Sequence, residues 1–347
     1  MYNIRFVMNH ISKFLIFISS LLLGIVATIL YFDFFVSNTI ISPIGISFQK
    51  KDISLEKYSF PNLHKRTVDR NKITIGKEII KTTDYQSFMY YFKSDGKKIS
   101  GLMNIPSKPG TYPIIILFRG FVDKSIYLPG VGSSHVGQVL VKNGYITLAP
   151  DFLGYGESDM PSNKSIEERF QTYTTAQDLV TSITSLNDAL QNVSAVKADV
   201  QKLGIWGHSN GGHIALATLT STGKKIPTVL WAPVSKPFPY SILFFTDEFD
   251  DGGKALRKVV ADFESTYDVN PFTFTNYIDW IKAPIQLNQG GLDDAVPIRW
   301  SNTLYKELLN KRIDVEYYTY PNADHNLAPD GWNIAVDRML EFFKNRL

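Results

Sequence analysis

Gly207-His208-Ser209-Asn210-Gly211 sets a serine in a G-x-S-x-G frame. The run Leu203–Trp206 leads into it as a strand, and Asn210–Ala217 leads out as a helix. In such a strand–turn–helix joint a strained elbow lifts the serine Oγ above a sheet, and glycines on either side leave room for the tight turn. A serine hydroxyl attacks a carbonyl only when a base takes its proton. Of the six histidines, His325 alone follows every strand candidate, in the polar loop Pro321-Asn322-Ala323-Asp324-His325-Asn326. His208 and His213 belong to the same turn and helix as the serine, and His208 reads as a packing or hydrogen-bonding residue of the elbow.

The base needs a carboxylate to hold its tautomer and stabilise the imidazolium. Gln289-Gly290-Gly291-Leu292-Asp293-Asp294-Ala295-Val296-Pro297 offers two, in the loop after the strand Pro284–Asn288. Asp293 is the expected partner, and Asp294 then reads as a helix-start residue. An oxyanion needs backbone N–H donors aimed at the developing charge. One is expected from Asn210, the residue after the serine. The other is expected from Phe121 in Arg119-Gly120-Phe121, which follows the strand Pro113–Phe118. Asp151–Ser158, after the next strand, reads as scaffold.

Strands must carry these loops to one edge. Phe88–Lys93 and Lys98–Pro106 flank a turn and read as a hairpin. Uninterrupted β-rich runs then recur at Pro113–Phe118, Tyr145–Pro150, Lys202–Trp206, Thr228–Trp231, Pro284–Asn288 and Val315–Tyr320. Runs of this kind suit strands covered on both faces. Helical patterns at Ser165–Gln191, Asn210–Leu219, Ile298–Lys311 and Trp332–Arg346 separate them, the mark of βαβ units. Residues 235–280 form a long interruption with an acidic group at Asp247, Glu248, Asp250 and Asp251, a lid-like insert.

Phe14–Phe32 carries no charge and is close to the ~20 residues that cross a bilayer as a helix. Arg5 and Lys13 precede it, which orients the N-terminus inward. The expected division is a cytoplasmic 1–13, a transmembrane anchor over 14–36, an irregular linker over 37–84 and a catalytic domain over 85–347. On this reading the domain lies outside the cytoplasm, with secretion after signal cleavage as the alternative. The chain has no cysteine, which excludes disulfides, cysteine nucleophiles and Cys-based metal sites. Thirty-six Lys and Arg against 33 Asp and Glu leave a net +3, too weak for a nucleic-acid partner.

The order Ser209, Asp293, His325, with the runs GHSNGG, GGLDDAVP and NADHN, resembles the α/β-hydrolase superfamily. Within it, the chain is most similar to the catalytic domains of prolyl-oligopeptidase-like serine peptidases and their esterase relatives. The resemblance spans roughly 87–347. It implies a mostly parallel eight-stranded sheet with helices on both faces, and no metal or organic cofactor. It also implies a serine hydrolase acting on a peptide or a small acyl ester. A peptidase is the first expectation, with a carboxylesterase as the alternative and a non-catalytic binding domain as a third. Arg119 stands where the family usually has histidine, so the oxyanion loop is expected to be held differently. No repeat suggests a β-propeller gate.

Overall fold

The computed structural model describes residues 53–68 and 71–347, plus Gly24 and Val26, both helical. The chain divides into Met1–Lys51 and Asp52–Leu347, and the second unit holds the sheet and the candidate site residues. The transmembrane helix expected over 14–36 falls outside the described residues except for those two positions. Among the described residues, no helix is long and apolar enough to cross a membrane.

One sheet organises the second unit. Its strands are β1 (Thr74–Lys81), β2 (Tyr85–Ser94), β3 (Lys97–Pro106), β4 (Gly110–Phe118), β5 (Ile146–Pro150), β6 (Val196–His208), β7 (Thr228–Trp231), β8 (Ile285–Gly290) and β9 (Val315–Tyr320). Their spatial order is β1-β2-β3-β5-β4-β6-β7-β8-β9. The first three are antiparallel, and β4 to β9 run parallel. The expected sheet has eight strands; the ninth is β1. It lies where an irregular linker is expected, because its pattern TIGKEIIK neither alternates cleanly nor fills a buried face. The β2–β3 hairpin closes on Asp95-Gly96 with φ of 47° and 79°, the double positive φ that a two-residue hairpin turn requires.

The labelled helices are α1 (Phe60–Lys65), α2 (Ser134–Lys142), α3 (Ser165–Ser182), α4 (Asn210–Thr222), α5 (Lys254–Glu264), α6 (Ile298–Asn310) and α7 (Trp332–Arg346). Alternate residues of β4 divide the core: Ile114, Ile116 and Phe118 pack with α3, α4 and α6, while Ile115 and Leu117 pack with α2 and α7. The two-residue side-chain period of a strand thus builds one core on each face. The long helix expected over 165–191 breaks after Ser182 into a 3-10 turn and a short helix, Leu186–Leu190.

Residues 53–68 are part of the fold. Leu55, Tyr58, Phe60 and Leu63 are buried. Arg66 donates to both oxygens of Asp178 (2.7 and 2.9 Å) and to Asp95 at the hairpin tip (2.7 Å). The 235–280 insert is anchored as well: Phe238, Phe263 and Phe272 close around Phe170 of α3 at centroid separations of 5.2–5.7 Å. Two of its acidic residues serve local structure. Asp251 accepts from the N–H groups of Gly253 and Ala255 at the start of α5, and Asp247 pairs with Arg257.

Candidate active site

The strand order reverses between β4 and β6, whose partners at the carboxyl end are Phe118 and Gly207. A crevice opens at such a switch point because the connections leave in opposite directions. Ser209 stands there, between β6 and α4, with φ 55° and ψ −120°. A non-glycine residue rarely holds this conformation, which costs on the order of 1–3 kcal/mol. The surroundings impose it. Ser209 N–H donates to the Trp231 carbonyl (2.9 Å), and its own carbonyl accepts from Gly212 (3.0 Å) and Val234 (3.0 Å). The flanking glycines are needed for close approach: a Cβ on Gly207 would lie 2.7 Å from the Gly211 carbonyl oxygen, and one on Gly211 would collide with the Phe118 carbonyl.

Asp293 and His325 meet as expected, with His325 Nδ1 2.9 Å from Asp293 Oδ2. The Asp293 side chain is fully buried, and four donors satisfy it. Oδ1 accepts from the N–H groups of Ala295 (3.0 Å) and Val296 (2.7 Å), and Oδ2 accepts from Gln289 Nε2 (2.8 Å) as well as from His325. Since the carboxylate accepts at Nδ1, the other ring nitrogen of His325 is left for a reacting group. Asp294 is exposed and lies three residues ahead of Pro297, which precedes α6, so it does not start the helix. Gln289 belongs to no motif of the sequence. It is fully buried at the end of β8 and is itself oriented by Ser301 Oγ (2.6 Å); the signal available was a polar side chain in an otherwise buried strand.

The loops carrying Asp293 and His325 are joined backbone to backbone. Gly291 N–H donates to Tyr320, and Leu292 N–H to Ala323. A Cβ on Gly291 would sit 2.5 Å from the Pro321 carbonyl oxygen. His208 ties the serine elbow to the same loop: its Nε2 donates to the His325 carbonyl (2.9 Å), and the two rings are 4.6 Å apart. Desolvation by burial, then the neighbouring His325, push the His208 imidazole down to about 4, so it is neutral at pH 7. His213 is also neutral, pushed down to about 3 by burial and by Arg169. It donates from Nδ1 to Val234 (2.9 Å) and accepts at Nε2 from Tyr173 (2.8 Å).

Gly120 adjoins the serine, and a Cβ there would lie 3.1 Å from Ser209 Cβ. Arg119 fixes this loop from beneath. Its guanidinium donates to the carbonyls of Gly120 (2.9 Å) and Asp151 (3.2 Å) and lies between the rings of Tyr127 (4.6 Å) and Tyr155 (4.2 Å). Asp151 accepts in turn from Tyr127 and Ser100. Among the described residues, no backbone carbonyl takes the N–H of Phe121, and Asn210, at the first position of α4, has no intrahelical acceptor. Phe121 and Asn210 line one cavity of about 230 Å³. A second, of about 430 Å³, is lined by Trp206, Trp231, Trp332, His208 and Asn326 on the side of the His325 loop.

Residues 132–347 match the Prolyl oligopeptidase family. The uncharacterized peptidase YtmA of Bacillus subtilis (strain 168) is 23% identical over 263 residues, covering 74% of this chain and 92% of YtmA. Among solved structures, acetyl xylan esterase 1 from Thermoanaerobacterium sp. superposes with a TM-score of 0.54 at 18% identity, over 84% of this chain and 94% of that one. Dipeptidyl peptidase 4 of Porphyromonas gingivalis gives 0.53 at 14% identity, over 76% of this chain but 36% of that longer one. An S-formylglutathione hydrolase from Agrobacterium tumefaciens gives 0.54 at 14% identity, over 79% of this chain and 99% of that one. These structural likenesses establish the α/β-hydrolase fold. With more than half its length matching the family, this chain belongs to the prolyl oligopeptidase family and is a serine hydrolase.

Proposed function

We propose that Ser209, His325 and Asp293 are the catalytic triad of a peptidase that cleaves acyl bonds through an acyl-enzyme. Ser209 Oγ bonds to the substrate carbonyl carbon while His325 Nε2 takes the hydroxyl proton. The bond from that carbon to the leaving nitrogen or oxygen then breaks, and His325 passes the proton to the leaving group. Water, deprotonated by the same imidazole, releases the acid and restores the serine. The N–H groups of Asn210 and Phe121 hold the oxyanion. The observation that carries this reading is the 2.9 Å bond between His325 Nδ1 and a fully buried, four-donor Asp293, together with a serine held at φ 55° next to His208, whose ring bonds the His325 carbonyl.

A carboxylesterase is the second reading. It is favoured by the likeness to acetyl xylan esterase 1 over nearly the whole of that enzyme. A fluorophosphonate probe should label wild type and fail on Ser209→Ala; a folded wild type left unlabelled sinks the hydrolase reading. Rates on aminoacyl anilides against acyl esters divide the two substrates, and ester turnover without anilide turnover removes the peptidase. The apolar, uncharged run Phe14–Phe32 supports a membrane anchor with the hydrolase domain outside the cytoplasm. Protease added to intact cells should then digest the domain while a cytoplasmic marker survives. A domain that survives alongside the marker and is digested only after lysis argues against that orientation.

A further inference from the structure

Arg169, on the first turns of α3, lines the cavity beside Asn210 and Phe121. Its Nε and Nη2 are enclosed and have no hydrogen-bond partner among the described residues. These two nitrogens form one edge of the guanidinium, the fork that grips a carboxylate through two parallel bonds. The neighbouring hydroxyls donate elsewhere and offer the guanidinium only neutral oxygens, that of Tyr173 among them. Glu168 pairs with Lys124 (3.0 Å), Tyr173 donates to His213 (2.8 Å), Tyr155 donates to the Val122 carbonyl (3.1 Å), and Thr172 donates to the Arg169 carbonyl (2.6 Å). His213 is uncharged, and Glu168, the one carboxylate among the described residues that line the cavity, is paired through Oε1 with Lys124. An enclosed guanidinium edge without a partner is costly, and an incoming anion removes that cost.

The cavity also has a side. A leaving group must reach His325 to collect its proton, whereas the acyl group stays on the serine next to the oxyanion donors. The residues lining this cavity include Asn210 and Phe121 and none from the loop of His325. On the proposed function, on which this step rests, the cavity therefore receives the acyl part of the substrate. We infer that Arg169 is a specificity residue that selects acyl groups carrying a carboxylate. Two sources share this chemistry: a monoester or monoamide of a short dicarboxylic acid, and a peptide bond on the carboxyl side of an acidic residue.

The test uses matched pairs on the full-length protein. One pair is 4-methylumbelliferyl hemiglutarate against the pentanoate; the other is acetyl-Glu against acetyl-Gln 4-nitroanilide. Wild type should favour the anionic member of at least one pair in kcat/KM, and the pair that responds identifies the source. Arg169→Gln should lower that preference about 10- to 100-fold, the value of a charge-assisted bond to a carboxylate, and Arg169→Lys should regain part of it. Wild type without a preference in either pair overturns the inference, as does a loss in Arg169→Gln that is equal for anionic and neutral substrates. A readout without turnover is glutarate titrated by calorimetry into Ser209→Ala, with binding lost when Arg169→Gln is added; binding that survives Arg169→Gln, or none in Ser209→Ala, overturns it too. Labelling by the fluorophosphonate keeps the two readings apart: a labelled enzyme without charge preference loses only this subsite, and a folded, unlabelled one loses the hydrolase chemistry while the titration still decides Arg169.

Discussion

Asp293 shows how fully one side chain can be committed. Both oxygens accept, from two backbone N–H groups, the Gln289 amide and His325. Asparagine matches the shape but brings an amide donor, which must face either the backbone N–H pair or the imidazole and Gln289. Turned toward His325, it selects the tautomer with the proton on the wrong nitrogen. Asp293→Asn should therefore lower kcat by about three to four orders of magnitude, with little change in melting temperature and with slow residual labelling of Ser209. Steady-state kinetics and a labelling time course check this; near-normal turnover would give the orienting role to Asp294. Ser209, Asp293 and His325 were legible because their order along the chain and their placement after strands are sequence properties. Gln289, and the part Arg119 plays, were not. Their roles depend on partners as far along the chain as Asp151 and Tyr155 for Arg119, and Ser301 for Gln289, that only the folded loops bring close.

Elements hold the site by backbone contact. The loops after β8 and β9 are packed so closely that Gly291 has no room for a methyl group. Gly291→Ala should push the His325 loop away from Asp293, lowering kcat/KM more than tenfold while the fold survives. An activity assay beside circular dichroism tests it, and full activity would mean that the loop yields freely. Strand positions were readable from apolar runs, and β7, β9 and α7 match their expected bounds residue for residue. The β1 strand and the segment 53–68 were missed for opposite reasons. An edge strand with Lys77, Glu78 and Lys81 buries no face, so it carries no burial pattern. Leu55, Tyr58, Phe60 and Leu63 are buried, but they are spread over two short helical pieces whose pattern is too brief to read. The short helix α2 was hidden by Gly137, which lets the helix lie against Asn104 and Leu117.

At the scale of the whole molecule, burial of uncharged histidines couples stability to pH. His208 and His213 are held neutral, with values pushed down to about 4 and about 3 from 6.5. The unfolded chain binds their protons below 6.5 and the folded chain does not, so the stabilisation is complete above 6.5 and is lost as pH falls toward 4 and below. The carboxyls of Asp151 and Asp178 are pushed up by desolvation and act in the opposite sense. The difference between wild type and a variant isolates the histidine. His213→Gln should show a shallower loss of melting temperature between pH 6.5 and 4, and parallel curves would mean that His213 titrates normally.

The histidine that bridges the elbow to the His325 loop also has aromatic company. Its ring lies 6.2 Å from Trp206, which touches Trp231 at 5.4 Å, and Trp231 touches Trp332 at 5.1 Å. An imidazolium quenches indole emission far more than a neutral imidazole does, and neighbouring indoles pass excitation among themselves. The molecule thus has a built-in optical gauge: the state of His208, and with it the tie between the serine elbow and the His325 loop, is written into the brightness of its own tryptophans.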